Sequence, residues 1–306
     1  MTSPALRLEG LIAAVFTAFD ADGSLTLAPI ERYATFLQRN DIAGVFVNGT
    51  TGEGVSMTTD ERMRNLARWQ EVAHGTLKVI AHVGHNSLPD AKALATHAAQ
   101  IGVDAIGTVA PNVLRPAALD DLVAWCAAVA ACAPQTPYYY YHIPVLTNVR
   151  FDMTRFCRAA SERIPTFAGL KFTDENLMEF GNCVTLGAGR LNMLWGRDEI
   201  LLAGLATGAH GAIGSTFNYS APVYSRVIAA FARNDMATAM REMTAARNAV
   251  QVLVDFGGLP AGKAMLRRAG IDCGPVRLPL CNLPADHVAA MHAALDAANW
   301  DAVRCR

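Results

Sequence analysis

Along the chain, short runs of mostly apolar residues alternate with longer stretches of helical periodicity. The runs are Leu11–Phe16, Gly44–Val47, Leu77–His82, Asp104–Val109, Pro137–Tyr141, Phe167–Lys171, Leu191–Trp195 and Gly211–Gly214. Nearly unbroken hydrophobicity over four to six residues predicts strands covered on both faces, as in a parallel sheet. The stretches between them predict helices over Pro29–Arg39, Thr59–Ala73, Leu88–Gln100, Pro116–Ala131, Asp152–Ser161, Glu175–Leu186, Asp198–Thr207 and Ala221–Arg233. Pro29 suits a first helical turn, and Thr58 or Thr59 suits the start of the second helix. Leu122, Val123, Trp125 and Val129 give the fourth helix its apolar side.

A repeated phrase marks the units. Asn-Asp-Ile-Ala-Gly-Val, Ile-Gly-Val-Asp-Ala-Ile-Gly and Thr-Gly-Ala-His-Gly-Ala-Ile-Gly each set a helix-ending turn and a glycine at the entry to a strand. Strand–helix pairs following one another over roughly 220 residues predict an α/β fold, a (β/α)8 TIM barrel. An open doubly wound sheet fits less well, because no GxGxxG turn follows the first strand and no gap marks a second domain. Residues 1–234 therefore read as the barrel and 235–306 as a helical extension, with helices over Met236–Asp255, Ala261–Arg268 and Ala285–Ala298. The extension can cap the barrel or make a subunit contact.

Composition narrows the function classes. Of 306 residues, 52% are hydrophobic and only 17% charged, which suits a large core and some surface covered by partner subunits. A formal net charge of -1 without a basic run favours neither nucleic acid nor an anionic membrane. No apolar run reaches transmembrane length, and the first ten residues lack the pattern of a signal peptide. Seven cysteines with no CxxC suit a reducing compartment, so a cytoplasmic location is expected. Cys126, Cys132 and Cys157 read as small core residues.

In a barrel, chemistry gathers at the C-terminal ends of the strands. The fifth run ends in Tyr141 and the sixth in Lys171, so a phenol and an amine can meet there. Only four lysines occur, and Lys171 lies between Phe-Ala-Gly-Leu and Phe172. Burial of a lysine favours the neutral amine, the form that attacks a carbonyl. The ordinary alternative is a strand-end lysine reaching to solvent. Of Tyr138–Tyr141, alternation sends two rings inward and two outward. Tyr141 is the best placed to move a proton, and a packed aromatic is its plainer reading.

The turn Gly49-Thr50-Thr51-Gly52-Glu53 offers hydroxyls and backbone N–H groups that can hold a carboxylate, or it is simply a tight βα turn. Asp198 and Glu199 follow the seventh strand and can accept hydrogen bonds from a polyhydroxylated substrate, or they belong to a helix's first turn. Asp174 and Glu175 read first as helix caps. His82 and His85 could hold zinc and support a metal-dependent aldolase, but no third ligand has convincing spacing and H-E-x-x-H is absent. No G-x-S-x-G is present for a serine hydrolase. A pure binding or structural protein would not need a desolvated lysine beside a tyrosine at neighbouring strand ends.

Together, GVFVNGTTGEG, PYYYYHIPVLTNVRF, GLKFTDENL, WGRDE and GAIGSTFNY resemble, in order from Leu11 to Pro284, the N-acetylneuraminate lyases of the dihydrodipicolinate synthase-like superfamily. The resemblance implies a barrel with a helical extension, assembled as a homotetramer. It implies reversible cleavage of N-acetylneuraminate to N-acetylmannosamine and pyruvate, with neither metal nor organic cofactor. It places the imine-forming lysine at Lys171 and the catalytic tyrosine at Tyr141. The pair holding the pyruvate carboxylate falls on Thr50 and Thr51, and the sugar contacts on Thr173, Gly196, Asp198, Glu199 and Ser215.

Dihydrodipicolinate synthases typically read Y-N-V-P-x-R-T-G, whereas this chain has Leu146 in the arginine's place and Asn148 in the glycine's. Without the arginine, the carboxylate of aspartate semialdehyde lacks its countercharge. The segment Ala110–Leu114 lacks the aromatic that relatives send across a subunit interface. The alternatives are an aldolase or dehydratase acting on another 2-keto-3-deoxy sugar acid through the same lysine imine, and a non-enzymatic sugar-acid-binding protein that would keep Thr50, Thr51 and Asp198 and form no imine.

Overall fold

The computed structural model describes residues 7–187 and 189–306, so most of the first ten residues, read above as lacking a signal-peptide pattern, lie outside the described residues. Eight strands, β1 (Gly10–Ala14), β2 (Gly44–Val47), β3 (Lys78–His82), β4 (Ala105–Thr108), β5 (Tyr138–His142), β6 (Phe167–Phe172), β7 (Asn192–Trp195) and β8 (Gly211–Gly214), pair in sequence order and close β8 onto β1. All pairings are parallel. Closure leaves no unpaired edge, and the outward faces are covered by helices.

Those helices are α1 (Ile30–Arg39), α2 (Thr59–Ala73), α3 (Leu88–Gln100), α4 (Leu119–Ala130), α5 (Pro144–Thr147), α6 (Met153–Arg163), α7 (Leu177–Gly187), α8 (Leu201–Ala206) and α9 (Phe217–Ala232). The extension supplies α10 (Met236–Asp255), α11 (Leu259–Ala269), α12 (Ala285–Ala297) and α13 (Trp300–Val303). The sequence pattern missed α5 and α13, each a single turn. It also started α9 four residues late, because Ser220 breaks the helical geometry just before Pro222. Helix α2 starts from a capping box: Thr58 accepts from the Glu61 N–H, and Glu61 accepts from the Thr58 N–H. Neither Asp174 nor Glu175 caps α7. Asn176 does, taking the N–H of Glu179 at 3.1 Å, while Asp174 approaches His142 and Glu175 pairs with Arg197.

The core has two layers. A large outer cluster between sheet and helices includes Tyr138, Tyr140, Phe156, Phe172 and Trp195, with Cys126 and Cys157 buried in it and Cys132 half-buried at its margin. A smaller cluster fills the barrel with Ile12, Ala14, Phe46, Ile80, Tyr139, Tyr141, Leu194 and Ile213. Alternation thus divides the tyrosines as expected. At the N-terminal end, Leu8 plugs the inner cluster. The Asn192 side chain accepts the Leu8 N–H at 3.0 Å and donates to its carbonyl at 3.1 Å, while the Tyr139 hydroxyl donates to the same Asn192 at 2.9 Å.

One irregularity sets the site's register. Tyr138 pairs with Phe167 but Tyr139 pairs with Gly169, so Ala168 is an extra residue in β6. Gly169 takes φ +151°, and a Cβ there would lie 1.9 Å from the Asn192 carbonyl oxygen. Beyond this bulge, Tyr141 stands directly opposite Lys171.

Candidate active site

Lys171 is 5% exposed at the C-terminal end of β6, sheathed by the rings around it. Its Nζ lies 3.8 Å from the Tyr141 ring centroid and 4.5 Å from that of Phe46. Phe46 meets Tyr141 edge-on at 5.7 Å, and His82 meets Tyr141 edge-on at 6.2 Å. Among the described residues no carboxylate reaches ion-pair distance of this amine. The reading of Lys171 as a solvent-reaching strand end is therefore corrected: its stem and head are enclosed.

One ring nitrogen of His82 is engaged and the other, Nε2, is buried without a partner. Its Nδ1 lies 3.1 Å from the Asn48 carbonyl oxygen, and the buried Arg62 donates to the His82 carbonyl at 2.7 Å. Burial, the Arg62 guanidinium and the Lys171 amine hold its pKa well below the ordinary value, so the ring is neutral. His85 instead accepts the Ser87 N–H at 2.9 Å. Among the described residues no three His, Cys, Asp or Glu side chains converge as a metal would require.

The threonine turn is tightly built. Glu53 N–H donates to Thr50 O and Gly54 N–H to Gly49 O, both at 3.1 Å, and the Thr17 hydroxyl donates to Gly52 O at 2.6 Å. At Gly54 a Cβ would sit 2.0 Å from the Asn48 carbonyl oxygen, so only glycine fits. Thr50 and Thr51 meet Ser215 around a cavity of about 200 Å³, walled also by Phe16, Leu253 and Leu259. Tyr219 lines it as well, its hydroxyl buried and without a partner. Lys171 and Tyr141 are not in this wall; they lie in the aromatic cluster inside the barrel.

The remaining predicted residues form a third group. Thr173 is buried with an unpartnered hydroxyl, and Gly196 lies so close that a Cβ would stand 1.9 Å from that oxygen. Asp198 is 6% exposed, its Oδ2 taking the N–H of Thr216 at 2.9 Å and the Thr216 hydroxyl at 2.8 Å. Its Oδ1 faces Gly214. Burial and the neighbouring Glu199 carboxylate raise the Asp198 pKa to about 6, against the pull of the Thr216 donors. Glu199 sits half-buried, 3.5 Å from Arg197, which also pairs with Glu175.

Sequence reasoning missed Phe46 and Tyr219, and it gave Arg197 and Thr216, which stand at strand ends, no role. The inward position of Phe46 on β2 and the adjacency of Thr216 to Ser215 were signals for two of them. Leu253 and Leu259 come from the extension and had no local signal.

The site thus has a buried amine against a tyrosine ring at the C-terminal ends of β5 and β6 in a (β/α)8 barrel. The chain belongs to the dihydrodipicolinate synthetase family, whose profile matches residues 7–298. Within it, the chain is similar to N-acetylneuraminate lyases. It is 43% identical to that of Xenopus tropicalis over 286 residues, covering 92% of this chain and 93% of the relative. The solved Proteus mirabilis N-acetylneuraminate lyase superposes with a TM-score of 0.93 at 38% identity, covering 96% of this chain and 99% of that one. The Ruminococcus gnavus sialic acid aldolase, solved as a catalytic lysine mutant, gives a TM-score of 0.90 at 25% identity over 97% and 99% of the two chains.

Proposed function

We propose that this protein is a class I aldolase that reversibly cleaves N-acetylneuraminate to N-acetylmannosamine and pyruvate, with Lys171 as the imine-forming residue. The observation that carries the reading is the enclosed Lys171 amine, 3.8 Å from the Tyr141 ring and without a carboxylate partner. An unpaired amine in a low-dielectric site is disposed to act as a nucleophile.

The neutral amine adds to the C2 ketone of the open-chain sugar acid and loses water to give the iminium. The iminium draws in the electron pair of the C3–C4 bond as a base removes the proton from the C4 hydroxyl. The aldehyde of N-acetylmannosamine departs, leaving an enamine of pyruvate. Protonation at C3 and hydrolysis release pyruvate and restore the amine. Tyr141 serves the proton transfer. Thr50 and Thr51 hold the carboxylate, and Thr173, Gly196, Asp198, Glu199 and Ser215 hold the sugar chain.

The same reading takes residues 1–234 as the catalytic barrel and 235–306 as its extension, working as a cytoplasmic homotetramer. Val55, Val113 and Leu114, between 73% and 88% exposed, supply apolar surface for subunit contacts. Light scattering of the purified protein tests the assembly. Among the described residues no helix is long and apolar enough to cross a membrane.

Borohydride reduction in the presence of pyruvate tests the chemistry. Mass addition at Lys171 is expected, and active protein left unmodified at Lys171 would overturn the assignment. Turnover across a panel of keto-deoxy acids, read as pyruvate released, tests the preference for N-acetylneuraminate.

A further inference from the structure

Two buried charges of opposite sign have no part in this chemistry, yet they join the threonine turn to the far end of the chain. Glu53, the last residue of the turn, is 2% exposed and holds φ +52°, an uncommon conformation for a residue with a side chain. Its Oε1 lies 2.9 Å from Nζ of Lys263, which is itself 4% exposed on α11. Lys263 also donates to Pro275 O at 2.5 Å and lies 4.6 Å from the Phe19 ring centroid. The other Glu53 oxygen accepts the backbone N–H of Arg277 at 2.8 Å.

Arg277 continues the connection. Its guanidinium lies 4.1 Å from the Phe19 ring centroid and donates to Gly23 O at 2.8 Å and Ser56 O at 3.0 Å. It also grips the Glu61 carboxylate through both terminal nitrogens, which lowers the Glu61 pKa to about 2. One residue before Lys263, Gly262 lies against Phe16, where a Cβ would be 2.8 Å from the ring. Gly262 and Leu259 wall the same cavity as Thr50 and Thr51.

A buried ion pair adds little to stability compared with well-packed apolar residues, because desolvating both charges offsets their attraction. What such a pair does supply is a fixed geometry. We propose that Glu53 and Lys263 are positioning residues, through which the C-terminal extension sets the placement of Thr50 and Thr51 for the carboxylate of the keto acid. The inference rests on the assignment of that turn as the carboxylate site.

The test reads the pyruvate concentration that gives half-maximal borohydride trapping at Lys171, together with the trapping yield at saturation. Glu53→Gln, which keeps shape and an acceptor for Arg277, and Lys263→Met are each expected to raise half-saturation about tenfold while the saturating yield stays at the parent's, as a misplaced binding group does. The double variant is expected to match the single variants to within about twofold, because both remove one interaction. Having no unpaired buried charge, it also decides the matter if a single variant does not fold. Arg268→Met, which breaks a partly exposed contact between α11 and α12 at His292 and Asp296, is expected to leave half-saturation unchanged.

Parent-like half-saturation in a folded Glu53→Gln or double variant overturns the proposal, as does an equal shift in Arg268→Met. Failure of the parent itself to trap pyruvate at Lys171 overturns the imine chemistry instead, and removes the carboxylate that the turn was to hold.

Discussion

Lys171 and Asp198 are both buried near the barrel's open end, and their surroundings treat them differently. Lys171 has the rings of Tyr141 and Phe46 against it, whereas Asp198 has two donors from Thr216. Replacing Lys171 with alanine removes the proposed nucleophile and is expected to reduce N-acetylneuraminate cleavage to below about one-thousandth of the parent rate in a coupled pyruvate assay. For Asp198 the informative variable is pH. Its carboxyl has an ordinary pKa of 3.8 and one of about 6 in the fold, so the folded chain binds the proton more tightly. Stability from this group is therefore greatest below the ordinary value and falls as pH rises through about 6. Denaturation measured against Asp198→Asn isolates the effect: the parent is expected to lose about 3 kcal/mol relative to the variant across that window. A constant difference between the two would reject it. Sequence placed both residues at strand ends, but it could not tell that Thr216 had already claimed one Asp198 oxygen, since that contact spans two separate loops.

At the scale of elements, the strands and most helices were legible because two-sided burial writes itself as continuous apolar runs and helical faces as a 3.6 period. The bulge in β6 was not. Phe167 to Lys171 reads as a regular strand, and only the paired registers reveal Ala168 as an extra residue. That residue decides whether the amine faces Tyr141, because a one-residue slip exchanges the two faces of a strand. Gly169→Ala would drive a Cβ to 1.9 Å from the Asn192 carbonyl oxygen. The expected cost is about 2–4 kcal/mol in chemical denaturation, with trapping at Lys171 reduced in the folded fraction. By contrast, Thr58→Ala removes one arm of the α2 capping box and is expected to cost about 1 kcal/mol. The cap of α7 was misread because Asp174, Glu175 and Asn176 are all competent acceptors; the true start at Leu177 leaves Asn176 in the capping position.

For the whole molecule, the barrel's closure and the path of the extension decide what a ligand meets. Leu253 and Leu259 reach the cavity from beyond residue 234, so the wall opposite Thr50 and Thr51 is built by distant sequence. No local pattern announces such a contact, whereas each barrel unit carries its own strand, helix and turn. Of the residues proposed to hold the sugar, Ser215 lines that wall, whereas Thr173, Gly196, Asp198 and Glu199 lie outside it. Asp198→Ala is therefore expected to depress kcat/KM for N-acetylneuraminate more than for a shorter keto acid. Equal losses for both would remove its role in holding the sugar chain.

The plug of Leu8 and Asn192 seals one end of the barrel, with Tyr139 bonded across it. Traffic is thereby confined to a single doorway. On the proposed chemistry, the fragment tethered to Lys171 would lie innermost once the carbon chain is cut, with the free aldose between it and solvent. Departure is consequently sequential, aldose ahead of keto acid. Added pyruvate should therefore compete with N-acetylneuraminate for the empty enzyme, while added N-acetylmannosamine should inhibit without competing.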